Sequence, residues 1–183
     1  MAHASVPRPI LPPSMTPQEI TDVLRAKFKD KLTAAHPADK HPRVHTTADH
    51  WREIAQYLRR DPALSFDWLA CLTGIDYVAD AQFCVAYDFW SSDHRHRFAV
   101  KVYAPRVDRA TFPSVADLWP TADWHEREAA EMFGLAFDHH PDPRNLLLAD
   151  DWVGFPLRKD YVFPREYHGI PGSVELDWQQ KPD

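Results

Sequence analysis

Beyond residue 137 the chain loses every regular period, and this restricts its fold more than any other feature. Prolines stand at 141, 143, 156, 164, 171 and 182. That spacing interrupts any helix and removes donors from any interior strand. The same stretch carries Leu146, Leu147, Leu148, Trp152, Phe155, Leu157, Tyr161, Phe163, Tyr167 and Trp178. It is too apolar for a disordered tail and too long for a structureless loop inside one compact domain. The expectation is an extended arm over residues 138–183, its aromatic groups covered by its own domain or by a partner surface.

The preceding residues do show periods. Residues 1–15 hold Pro7, Pro9, Pro12 and Pro13 with few large apolar groups, the composition of a flexible leader. Thr16-Pro17-Gln18-Glu19 reads as a capping box opening a helix, with Ile20, Val23, Leu24 and Phe28 at helical spacing. A short strand is expected near Val44, with another before it that the sequence does not place. Thr47 caps a second helix ending near Arg60, with Trp51, Ile54, Ala55 and Leu58 as its apolar stripe. Residues 69–78, 83–90 and 98–103 read as strands joined by antiparallel hairpins. Ser114 is expected to cap a short helix to about residue 118, and Thr121 or Asp123 a longer one that Gly134 stops. Residues 16–137 thus form an α+β core domain.

Several function classes are excluded or weakened. The net charge is -6, which opposes nucleic acid. The densest cationic run, His94-Arg95-His96-Arg97, reads as a solvated hairpin tip. Cys71 and Cys84 fall in apolar runs without a C-x-x-C, so neither a zinc ribbon nor a cluster-ligand set is present, and buried free thiols are expected. The 11 histidines show no zincin pairing and read as surface or loop groups, the adjacent His139 and His140 included. No run is long and apolar enough for a membrane span, and the N-terminus lacks a signal-peptide core. A protein acting inside the cell and reaching a membrane only through partners is expected.

Two constellations could carry function. The first is Glu126-Arg127-Glu128 with Glu131, Met132, Phe133 and Gly134, on a helix. Glu126 and Glu128 could be read as the acid and base of a hydrolase. Residues two apart on a helix point about 200° apart, so structural pairing of the charges, Arg127 with Glu131 among them, is the stronger reading. The second is Gly154, Phe155, Pro156, Leu157, Arg158, Lys159, Asp160 and Tyr161. Without a glycine turn entering a helix, a phosphate cradle is the weaker reading. A charge clamp is the stronger one, Arg158 and Lys159 meeting Glu126, Glu128 or Glu131.

The two constellations together resemble the E-R-E-x-x-D-x-F-G signature and following arm of the 30 kDa-type peripheral-arm subunits of complex I, the C-type members of the NADH-quinone oxidoreductase family. The resemblance continues through His140, Pro141, Asp142, Arg144, Leu146-Leu147-Leu148, Asp150-Asp151-Trp152, Gly154 and the run from Pro156 to Tyr161. Upstream, Thr73-Gly74-Ile75-Asp76-Tyr77, Ser114-Val115 and Trp119 also look like family positions. In all it covers about residues 64 to 171. The chain departs from the family at Asp123, Glu131, His139, Pro143 and Asn145, where Asn, Asp, Gly, Leu and Arg are usual.

The resemblance implies a two-layer α+β domain with a mixed sheet and packed helices, followed by a long irregular arm. It implies a non-catalytic peripheral-arm subunit without cofactors or metal of its own. Its implied neighbours are the D-type quinone-site subunit and iron–sulfur subunits such as B and I, on the cytoplasmic side of the inner membrane. The complex as a whole would pass electrons from NADH through FMN and iron–sulfur clusters to quinone. The equivalent subunit of a membrane-bound hydrogenase is the alternative within the family, and a free-standing hydrolase the alternative outside it.

Overall fold

The computed structural model describes residues 14–171. Most of the leader and the end of the arm, Trp178 included, therefore lie outside the described residues.

Helix α1 (Pro17–Phe28) begins with the expected reciprocal cap. The Thr16 hydroxyl accepts from Glu19 N–H, and the Glu19 carboxylate accepts from Thr16 N–H at 2.7 Å. Strands β1 (Leu32–His36) and β2 (Arg43–Thr47) follow. Helix α2 (Ala48–Arg60) buries Trp51, Ile54, Ala55 and Leu58, the stripe that its period requires. Thr47 occupies its cap position without a side-chain hydrogen bond.

Strands β3 (Trp68–Tyr77), β4 (Gln82–Trp90) and β5 (Arg97–Pro105) form two antiparallel hairpins. β2 then joins β5 in parallel, giving the five-stranded mixed order β1-β2-β5-β4-β3. Alternation along β4 and β5 sends Phe83, Val85, Tyr87, Phe89, Val100 and Val102 to the helix side. There Trp51 packs on Tyr87 with ring centroids 4.3 Å apart. The fold is two-layered, as expected, with helices on one face of the sheet.

Two local readings are corrected. Ser114 opens a turn over residues 116–118 and not a helix, because Pro113 closes a short strand just before it. That strand, β6 (Thr111–Pro113), pairs in parallel with β7 (Ala136–Asp138) across helix α3 (Ala122–Phe133), a small β-α-β unit that the sequence did not reveal. The hairpin tip at residues 94–97 is not uniformly solvated. His94 and His96 are buried, their Nε2 atoms 2.8 Å from the carbonyls of Pro62 and Leu64. The loop after α2 supplies acceptors that no local pattern advertises. Cys84 is buried and Cys71 half-buried, and both are free thiols.

The arm leaves β7 as irregular chain. It ends, among the described residues, in a two-by-two hairpin of β8 (Glu166–Tyr167) and β9 (Ile170–Pro171).

Candidate functional site

Helix α3 ends at Gly134 in the left-handed conformation, φ 69°, with its N–H bonded to the Ala130 carbonyl. This cap turns the chain so that α3 and the returning arm face one another. Along that seam the family-like residues converge.

Glu131 lies buried at the root of the arm. Its carboxylate accepts backbone N–H groups from Leu146 (2.9 Å), Leu147 (2.9 Å) and Leu148 (3.2 Å). One anion thereby satisfies three donors in a segment with no regular structure to pair them. Arg127 works in the opposite sense, donating to the carbonyls of Arg144 (2.9 Å) and Asn145 (3.1 Å). The expected Arg127–Glu131 pair is therefore not made, since arm backbone reaches both groups first. Arg144 forks onto Asp142 and holds its carboxyl down at about 2.

Glu126 is fully buried. It accepts from the Ser114 hydroxyl (2.6 Å) and Val115 N–H (2.8 Å), so it ties α3 to the chain entering from β6. Burial pushes its carboxyl up to about 7. His140, expected at the surface, is enclosed beside it, with Nε2 3.8 Å from the carboxylate. His140 Nδ1 accepts from Asp142 N–H, and Nε2 lies 3.0 Å from the Asp123 carbonyl. Glu128 is exposed and borders a different groove from Glu126. The two carboxylates do not face a common cleft. Among the described residues no three His, Cys, Asp or Glu side chains gather as a metal-ligating group.

The clamp at residues 158–160 exists with other partners. Arg158 donates to the carbonyls of Phe133 (2.6 Å) and Gly134 (3.4 Å), and its guanidinium lies 4.3 Å from the Phe155 ring centre. Leu157 N–H donates to the Met132 carbonyl at 3.0 Å. Arg158 thus caps the C-terminal carbonyls of α3, where a cation is favoured by the helix dipole. The carboxylate of the clamp is Asp76 on β3, fully enclosed. It receives Arg106 as a fork (2.7 and 3.0 Å) and Lys159 N–H at 3.0 Å. Arg106 reaches on to Asp160 at 2.8 Å. Hydrogen bonding from Arg106 holds the Asp76 carboxyl below its ordinary range. Arg158 and Lys159 meet none of Glu126, Glu128 or Glu131, because those acids lie on the sides of α3 while the clamp closes over its end.

The remaining signature residues shape the arm. Tyr161 lies over Gly154 and donates to the Val153 carbonyl at 3.1 Å. Asp151 accepts from the Tyr167 hydroxyl and from His168, and half-buried Trp152 packs on Tyr167 at 5.1 Å. Pro141 is exposed and Pro156 half-buried, both at bends. Gly134 leaves no room for a side chain. A Cβ there would sit 2.5 Å from the Phe155 ring and against Arg158. Gly134→Ala is accordingly expected to cost about 2 kcal/mol and to increase proteolysis within the arm. Chemical unfolding with limited digestion checks this, and wild-type behaviour would refute it.

The arm leaves large apolar side chains outside as well as polar ones. Leu147 is 64%, Val153 84%, Val162 85% and Phe163 58% exposed, with Trp124 of α3 at 64%. The sequence reading missed Arg106 and the role of Asp76. A β-strand acid within a family-like run was the available signal, but its partner lies 30 residues away.

Residues 44–167 match the family model described as respiratory-chain NADH dehydrogenase, 30 Kd subunit. The chain is 44% identical over 151 residues to the C-type NADH-quinone oxidoreductase subunit of Chlorobium phaeobacteroides, covering 81% of this chain and 90% of that one. It is 44% identical over 153 residues to the same subunit of Chloroherpeton thalassium, with 81% of this chain covered but only 62% of the relative. The Roseiflexus castenholzii counterpart is 37% identical over 160 residues, covering 87% and 91%. In fold the chain is similar to a chain in the structure of the membrane-bound sulfane sulfur reductase, an archaeal respiratory membrane complex. The TM-score is 0.63 at 19% identity, covering 89% and 90%. The chain therefore belongs to the respiratory-chain NADH dehydrogenase 30 Kd subunit family.

Proposed function

We propose that this chain is a non-catalytic structural and assembly subunit in the peripheral arm of a proton-translocating NADH-quinone oxidoreductase. One observation carries the reading. Arg127, Glu131 and Arg158 are committed to holding the chain's own arm, and that arm leaves large apolar side chains exposed. Val162 and Phe163, adjacent on the arm and both exposed, are large apolar groups of the kind that monomeric proteins seldom leave uncovered together. No helix among the described residues is long and apolar enough to cross a membrane. Attachment to the cytoplasmic side of the inner membrane would then run through partner subunits. The D-type subunit at the quinone site and iron–sulfur subunits such as B and I are the partners proposed. FMN, the clusters, NADH and quinone belong to those neighbours in this reading, and electrons pass through them. A fold shared with a chain of a sulfane sulfur reductase complex suits a part without donor-specific chemistry.

The test uses the full chain with Val162→Asp and Phe163→Asp together. Both positions are exposed, so the fold is expected to keep its unfolding midpoint while co-purification of partner subunits falls at least about tenfold. Undiminished co-purification would overturn the proposal, as would substrate turnover by the isolated chain that Glu128→Gln abolishes.

A further inference from the structure

All three helices pack on the face of the main sheet that bears Val85, Tyr87, Val100 and Gly74. The opposite face presents exposed or half-buried groups along four strands, Cys84 excepted. Strand register arranges it in rows. Trp68, Trp90 and Arg97 form one end. Cys71, Asp88 and Ala99, then Thr73, Ala86 and Lys101, form the middle. Tyr103 and Tyr77 stand at the other end, their rings stacked 6.1 Å apart. Small side chains thus floor a trough between two aromatic walls. Six residues of β4 separate the walls, about 20 Å at strand rise. A helix with its side chains is about 10–12 Å across.

Charge narrows the occupant. The face carries Arg43, Arg97 and Lys101 against one carboxylate, Asp88, although the whole chain is acidic. Arg43 is occupied by Asp39. Lys101 donates to the Tyr77 hydroxyl at 2.9 Å, and among the described residues neither it nor Arg97 forms an ion pair. The two stand four residues apart on β5, about 13 Å. His45 adds no charge at neutral pH, since burial, with the positive charges of Arg43 and Lys101 nearby, lowers it to about 4. With Asp88 set against them, Arg97 and Lys101 leave the face with a small net positive charge, which suits a carboxylate better than a polyphosphate chain.

We propose that this face, uncovered among the described residues, seats an acid-bearing amphipathic helix of a neighbouring subunit, laid across the strands over Cys71, Thr73, Ala86 and Ala99. The inference rests on the assembly role above and adds a second docking surface, on the side of the sheet away from the helices. Anchoring comes from the aromatic walls, and Arg97 and Lys101 fix the register of the acids.

The chain carries its own probe, because Cys71 lies in the floor and Cys84 is buried. The assembled complex and the free full chain are treated with a maleimide, alongside a Phe163→Cys chain as reporter for the arm. Cys71 is expected to react at least about tenfold more slowly in the complex. Carbodiimide is expected to couple Lys101 to an Asp or Glu in a helical peptide of a partner, and Lys101→Ala to remove that product. Equal Cys71 reactivity with a protected Phe163→Cys overturns this inference and leaves the assembly role standing. Reactivity at both positions overturns both. Cys71 protection that nuclease treatment abolishes assigns the face to nucleic acid and overturns it as well.

Discussion

Arg106→Ala is expected to lower the unfolding free energy by about 3 kcal/mol, because it strands the Asp76 carboxylate in a site from which water is excluded. The Asp76 side chain has no solvent exposure, and Arg106 supplies both of its charged contacts. Lys159 N–H remains, but one neutral donor does not replace a forked guanidinium. The arm should loosen in the same variant, since Arg106 also holds Asp160. A second substitution separates the mechanisms. Asp76→Asn added to Arg106→Ala removes the stranded charge and should restore part of the loss. The pH dependence has a definite sign. Asp76 is held below its ordinary range chiefly by Arg106. Its contribution is therefore present above the unfolded value of about 3.9 and disappears as pH falls through the lower folded value. The wild-type and Arg106→Ala stabilities should converge below about pH 4. Denaturant titrations at pH 7 and pH 3 measure both, and parallel curves with no convergence would discard the explanation.

The clamp shows where the sequence was informative and where it was not. Much that is local was legible. The Thr16–Glu19 box, the α2 stripe and the Gly134 stop each depend on residues within one or two helical turns. The hairpins of β3, β4 and β5 were legible for the same reason, since alternation and turn lie in one continuous stretch. The seam between α3 and the arm was recognisable as residues that belong together, but not as a set of contacts. Glu131 accepts from three backbone N–H groups, and Arg158 donates to carbonyls, so neither partner has a side-chain identity to read. Charged residues near one another in sequence suggested pairing with each other. Irregular backbone presents a larger demand for partners, and it won. The short β6–β7 pair escaped notice because three residues cannot display a period. His94 and His96 were misjudged, since burial of a histidine depends on carbonyls brought in from elsewhere.

Glu126→Gln is expected to stabilise the protein at pH 8 by about 2–3 kcal/mol and to flatten its stability between about pH 4.5 and 7. Burial raises the Glu126 carboxyl to about 7, above its ordinary 4.5. The folded state therefore retains a proton that the unfolded chain releases, and stability declines as pH rises from the unfolded value to the folded one. The nearby acids Asp123 and Asp117 oppose the ionised form further. Glutamine keeps an acceptor for Val115 N–H and places a donor toward Ser114, whose oxygen already accepts Ala116 N–H and can take a second bond. It removes only the charge. Glu126→Ala should behave oppositely, destabilising at every pH by leaving Val115 N–H unpaired beside a void. Unfolding midpoints across pH 4 to 9 distinguish these outcomes. A Gln variant that tracks the wild-type curve would show that Glu126 carries its charge without cost. In the assembly reading the consequence is mechanical: a carboxyl that gains or loses its proton near neutral pH ties α3 to β6, directly beneath the root of the arm.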